Sequence, residues 1–195
     1  KEGAGTLTVT GENTYNQGVE LNEGVLVLGN DDALGTGQLT VTGDSTVQSD
    51  SNARRVTNAV AINTDFDLTF SGANNLAMVG RVSGAGGLIV NADADDVVLT
   101  LAGRNLYSGG TTLKRGILAF AGERAMGGGD VTVKGDASIR TNVNRLVVVN
   151  NFEIRSGANL NFVGQNLMTI NGIISGKGSL TVDAQNSGVR LVLSG

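Results

Sequence analysis

The chain has 195 residues, a net charge of −4, and no cysteine, histidine or proline. Without cysteine there are no disulfides and no thiolate metal sites, and without histidine neither a Ser-His-Asp nor a Cys-His nucleophile can be built from this polypeptide alone. An apolar fraction of 40% beside 16% charged residues is too hydrophobic for a disordered chain.

In chain order the elements read as strand after strand. TLTVT opens at Thr6, GVELN at Gly18, VLVLG at Val25 and QLTVTG at Gln38. NAVAI follows at Asn58, inside the less regular stretch 51–64, then DLTFSG at Asp67, LIVNA at Leu88 and VVLTLAG at Val97. Each is an alternating or short aliphatic run bounded by Gly, Asn or Asp, the pattern of short strands joined by tight turns. No window carries an apolar stripe at helical spacing, and no apolar run is long enough to cross a bilayer as a helix. Absence of proline suits a sheet with many interior strands. The N-terminus KEGAGTLTVT lacks the charged and apolar regions of a signal peptide. No basic block appears along the chain, so a phosphate-tracking surface, nucleic-acid binding and membrane insertion by this segment are not expected.

From Gly103 the elements repeat. Residues 11–103 laid over 103–195 match without a gap at 33 of 93 positions. Gly11, Asn13, Tyr15, Gly18, Leu21, Gly24 and Leu26 fall on Gly103, Asn105, Tyr107, Gly110, Leu113, Gly116 and Leu118. Asp44, Leu68, Phe70, Gly72 and Asn74 fall on Asp136, Leu160, Phe162, Gly164 and Asn166, and GAGTLTV at Gly3 echoes GAGGLIV at Gly84 and GKGSLTV at Gly176. A long gapless period means an array whose units meet only their neighbours. The expected fold is all-β: a right-handed parallel β-helix of roughly eight coils in one continuous stack over residues 1–195. One 92-residue period (11–102, then 103–194) is expected to span about four coils of some 20–25 residues. Inward Leu, Val and Ile form the core, glycines take the corners, and Tyr15 and Tyr107 pack at a corner rather than bind a ligand.

The stretches GENTYNQGVELNEGVLVLG and GRNLYSGGTTLKRGILAFAG resemble the passenger-associated transport repeat, also called the autotransporter-associated β-strand repeat. Its pattern is carried by Gly103, Asn105, Tyr107, Gly109, Gly110, Thr111, Leu113, Gly116 and Leu118; the first copy departs at Gln17 and Val19. The resemblance implies a segment of a longer passenger of a type V secreted protein, exported through the outer membrane by a C-terminal translocator barrel of the same polypeptide and shown at the cell surface or released. It implies a structural stalk that supports passenger export, folding and presentation of functional regions. Adhesion or self-association, with host glycan or matrix as partner, is the alternative; a polysaccharide-active enzyme is the lesser one.

No catalytic, cofactor-binding or metal residue is assigned. Asp93, Asp95 and Asp96 in NADADD could hold calcium, but one period later DAQNSG keeps only Asp183, which favours a solvated turn. GGGD at Gly127 lacks a nine-residue repeat, and GAGG at Gly84 lacks the Lys-Ser/Thr of a phosphate loop. Asp65, Asp67, Arg54 and Arg55 are the outward residues a carbohydrate-cleaving site would use; their counterparts Gly157, Asn159, Leu146 and Val147 do not preserve them. Threonine-rich strands raise ice binding, for which broken Thr columns are unsuitable.

Overall fold

The computed structural model describes residues 1–51, 53–122, 124–184 and 191–195. It holds twenty-two strands and no helix among those residues, and every strand pair is parallel. Parallel neighbours that are also sequence neighbours at a distance of about twenty residues can only be successive turns of a solenoid.

One inward column shows the stacking. Leu7, Leu26, Val47, Phe70, Val90, Leu113, Val133, Ile154 and Gly176 are Cα partners in succession. That gives nine levels separated by 19 to 23 residues, one more coil than the sequence predicts. At about 4.8 Å per level the rod is roughly 40 Å long. Each coil has three faces. Face A carries the column just named. Face B carries Val19–Leu21, Leu39–Val41, Val60–Ile62 and Val82–Ser83, then later Leu146–Val148, Met168–Ile170 and Leu191–Leu193. Non-strand backbone fills the gap, because the amides of Leu106 and Ser108 donate to the carbonyls of Val82 and Gly84, and that of Gly128 to Tyr107. Face C carries Arg54–Val56, Leu76–Met78, Val98–Leu101, the second half of Thr111–Phe120, Ala137–Thr141, Asn159–Gly164 and Ser179–Ala184. The ten-residue strand Thr111–Phe120 turns a corner and joins faces A and C into one 15-stranded sheet.

The interior is one aliphatic cluster running the length of the stack. Leu26, Val47, Phe70, Val90, Leu113 and Val133 are all buried, as are Tyr107, Phe120 and Phe152. Burying each such side chain contributes about 1.5–3 kcal/mol. Alternation along each strand supplies them: the burial pattern of Ala137–Thr141 has inward Ala137, Ile139 and Thr141 with Ser138 and Arg140 outward.

The period corrects the expected coil arithmetic. Leu26 has Leu118 as its sequence counterpart, yet four levels above Leu26 on face A stands Leu113. Leu118 lies one corner further on, on face C, paired with Leu99 and Ile139. The 92-residue repeat thus advances four coils and one face. Asn13 and Asn105 consequently stand on different faces and do not share a column.

The backbone repeats with the same period. Positive-φ residues pair as Gly18 with Gly110, Gly24 with Gly116, Gly35 with Gly127, Gly72 with Gly164 and Gly84 with Gly176, and Asp65 (φ 70°) takes the conformation of Gly157 (φ 82°). Gly80 and Gly172 have a different reason. A Cβ at either would sit 1.9 or 1.8 Å from the carbonyl oxygen of Asn58 or Asn150 in the coil below. We expect Gly80→Ala to destabilise the rod by about 3 kcal/mol through this overlap, measured by urea denaturation. An unchanged midpoint would contradict the close coil contact.

Candidate functional site

Two kinds of polar residue need explaining: those the period keeps and those it changes. The kept ones tie one coil to the next. Asn58 is buried, and its Nδ2 donates to the carbonyls of Gly35 (2.9 Å) and Gly37 (2.7 Å) in the coil below. Asn150 does the same to Gly127 (3.3 Å) and Gly129 (2.7 Å). Asn105 reaches both ways: Oδ1 accepts from the Val82 amide at 2.8 Å and Nδ2 donates to the Ala125 carbonyl at 2.5 Å. Asn13 repeats the second bond, to Ala33 at 2.9 Å. Asp44 and Asp136 accept from the Asp67 and Asn159 amides at 2.8 and 2.9 Å. Asn74 and Asn166 donate to the Ser49 and Thr141 carbonyls. These side chains satisfy backbone groups at corners where the strand ladder lapses.

The tyrosines divide. Tyr107 is fully buried, with its hydroxyl 2.7 Å from Thr111 Oγ1. Burial pushes its ionisation far above the ordinary phenol value, against a smaller opposing effect of the Thr111 hydrogen bond. Tyr15 is 42% exposed and donates to the Ala33 carbonyl at 3.0 Å. Its turn is the first of the stack, so its ring lacks a coil on one side. The expectation of a packing role holds for Tyr107.

The residues weighed for catalysis do not meet. Arg54 binds Asp50 at 2.8 Å, a hydrogen bond that holds this carboxyl below its ordinary range. The Arg55 amide donates to Asp31 Oδ1 at 3.0 Å. Both arginines lie on face C, whereas Asp65 and Asp67 form the corner leading into face A. Asp95 faces Arg115 Nε at 2.6 Å, and the Asp93 carbonyl accepts from the same guanidinium. No cluster of three or more metal-ligating side chains forms among the described residues. The counterpart DAQNSG lies, beyond Ala184, outside the described residues. A groove between coils is lined by Asp130, Thr132, Asn151, Glu153 and Ser175.

On face A one outward column reads Thr6, Val25, Thr46, Thr69, Ile89, Thr112, Thr132, Glu153, Ser175. Its threonines are interrupted at Val25, Ile89 and Glu153, less often than the sequence reading expects, though still too irregularly for a flat hydroxyl lattice. Sequence reasoning also passed over Asn58 and Asn150, although their identity at the 92-residue shift was a signal. A further unread feature is the charge division: residues 1–102 carry four Lys or Arg against thirteen Asp or Glu, and residues 103–195 carry ten against five.

A model of the passenger-associated transport repeat matches residues 1–28 and 98–120. These stretches hold the two GxNxY corners or the strands leading into them. No curated protein and no solved structure matches the chain. Repeat and parallel solenoid together fit the repeat region of an autotransporter passenger.

Two outcomes follow. Asn58→Ala should lose about 1–3 kcal/mol by stranding buried carbonyls, and Asn13→Ala, on the half-open first turn, less than about 1 kcal/mol; paired urea melts compare them. Tyr107 has a folded-state pKa above its unfolded one, so its contribution is complete below about pH 10 and is lost as pH rises beyond it. Tyr107→Phe should flatten that alkaline fall while losing about 0.5–1.5 kcal/mol at neutral pH. Thermal melts from pH 7 to 11 check both.

Proposed function

We propose that this passenger-repeat solenoid is a structural stalk, exported to the cell surface or beyond, which supports its own export by folding coil on coil and holds other regions away from the cell. One observation carries the reading: what the 92-residue period preserves is the contact between coils. Asn58/Asn150, Asn74/Asn166 and Asp44/Asp136 all bond across a coil junction. Outward residues such as Arg54, Arg55, Asp65 and Asp67 are replaced one period later. The coil junctions, which all three faces share, are what the period holds constant.

A solenoid in which each coil templates the next has nearest-neighbour energetics, so folding can propagate from one end. That property serves a chain emerging progressively from a membrane pore. The reading gives the chain no enzymatic role.

The test is display of a passenger containing this segment, fused to a β-barrel translocator. Removing the clamps in pairs (Asn58→Ala with Asn150→Ala) should lower the amount of protease-resistant passenger at the cell surface severalfold, while expression is unchanged. Normal display by a variant shown to be destabilised in solution would remove the link between coil stacking and export.

A further inference from the structure

Four successive coils bring together cations that are scattered in the sequence. The residue following each inward position of the face A column is Lys114, Lys134, Arg155 and Lys177 on levels six to nine. The amides of Lys134, Arg155 and Lys177 donate to the carbonyls of Leu113, Val133 and Ile154, which fixes the stacking. Arg115 adds a fifth cation at the lowest of these levels, where the register slips by one residue. All five are exposed. The same column on the five lower levels is Thr8, Val27, Gln48, Ser71 and Asn91, without charge. Counterparts one period earlier, Asn22, Glu23, Thr42, Asn63 and Ala85, include no cation. Neither the solenoid nor the repeat therefore requires this ladder.

Backbone levels about 4.8 Å apart hold these like charges near one another, so the ladder persists against a small electrostatic penalty. Two members have partners: Arg155 binds Glu153 at 3.0 Å and Arg115 binds Asp95 at 2.6 Å, both in exposed pairs of little strength. Lys114, Lys134 and Lys177 make no ion pair among the described residues. Beside the cations, two residues back on the same outer face, run the hydroxyls of Thr112, Thr132 and Ser175, with Glu153 between.

We propose that this strip binds an acidic polysaccharide laid along the rod axis, its sulfate or carboxylate groups meeting the cations and its hydroxyls the threonine column. The inference goes beyond the stalk reading, which stands whether or not the strip binds. Sugar chemistry is favoured over nucleic acid because no aromatic side chain interleaves with the cations, and single-stranded nucleic acid binders rely on stacking platforms. The acidic half of the same chain carries only a shorter column, Glu23, Asp44 and Asp67 on three successive levels against cations on four, so a second copy would leave part of the strip uncovered.

The experiment measures binding of the 195-residue chain to heparin, hyaluronan and oligothymidylate by titration at low and physiological ionic strength. Heparin should bind best and weaken with salt. Lys134→Glu with Lys177→Glu should weaken it about tenfold or more, equivalent to about 1.4 kcal/mol. Arg81→Glu with Arg104→Glu, the same charge change elsewhere, should leave it within about twofold, with circular dichroism showing both variants folded. Absence of heparin binding at low salt, equal loss in the control, tighter binding of oligothymidylate, or salt-sensitive dimers abolished by the Lys134/Lys177 variant would each overturn the assignment.

Discussion

Every coil of this protein must offer the next one a matching edge. Parallel strands have no partner within their own coil, so each backbone amide and carbonyl on the three faces looks along the axis for its hydrogen bond. An interior group left unpaired loses about 1–3 kcal/mol. This requirement governs where the aliphatic residues sit, why glycines cluster at corners, and why a few asparagines are buried at all. Where the ladder runs, backbone bonds backbone. At the corners it lapses, and Asn58, Asn105, Asn150, Asp44 and Asp136 supply the missing donor or acceptor. Closeness of coils has the complementary consequence: Gly80 and Gly172 leave no room for a methyl group because a carbonyl from the coil below occupies it.

The four-and-one-face advance of the period separates internal from external meaning. Inward residues see the same environment on any face, since each face contributes a strand to one shared core. A repeat can therefore rotate by one face without disturbing packing. Outward residues are redistributed: equivalent positions of successive repeats point in different directions. Exposed Asp44 at the entry to face A and exposed Asp136 at the entry to face C illustrate this. A single repeat motif does not generate a continuous outer stripe by repetition, so a stripe such as the Lys114–Lys177 ladder has to arise from residues that differ between repeats.

Much of the fold was legible because the physics that writes it is local and repeated. Alternation revealed the strands, and the gapless shift revealed the array. Coil number came out one short because coils of 19 to 23 residues are slightly tighter than the length assumed. The extra third of a turn was invisible because a shift of 92 does not say how many corners it contains; only the pairing of Leu113 with Val90, rather than with a residue of face B, shows it. The cation ladder was missed for a related reason. Lys114, Lys134, Arg155 and Lys177 lie 20 to 22 residues apart, and no linear window reads them as a block. Asn58 was hidden in the irregular stretch 51–64, where its neighbours disguise a buried clamp as loop composition.

Cysteine cross-linking tests the stacking and its rotation together, in a chain with no native cysteine to interfere. Ile89 and Thr112 are outward Cα partners at the junction of the two repeats, within the separation of about 4.4–6.8 Å that a disulfide spans. Had the period been four whole coils, Thr112 would instead stand over Ser83. Ile89→Cys with Thr112→Cys should close an intramolecular disulfide under mild oxidation, while Ser83→Cys with Thr112→Cys should stay reduced. Cross-linking of the second pair and not the first would contradict the rod as described.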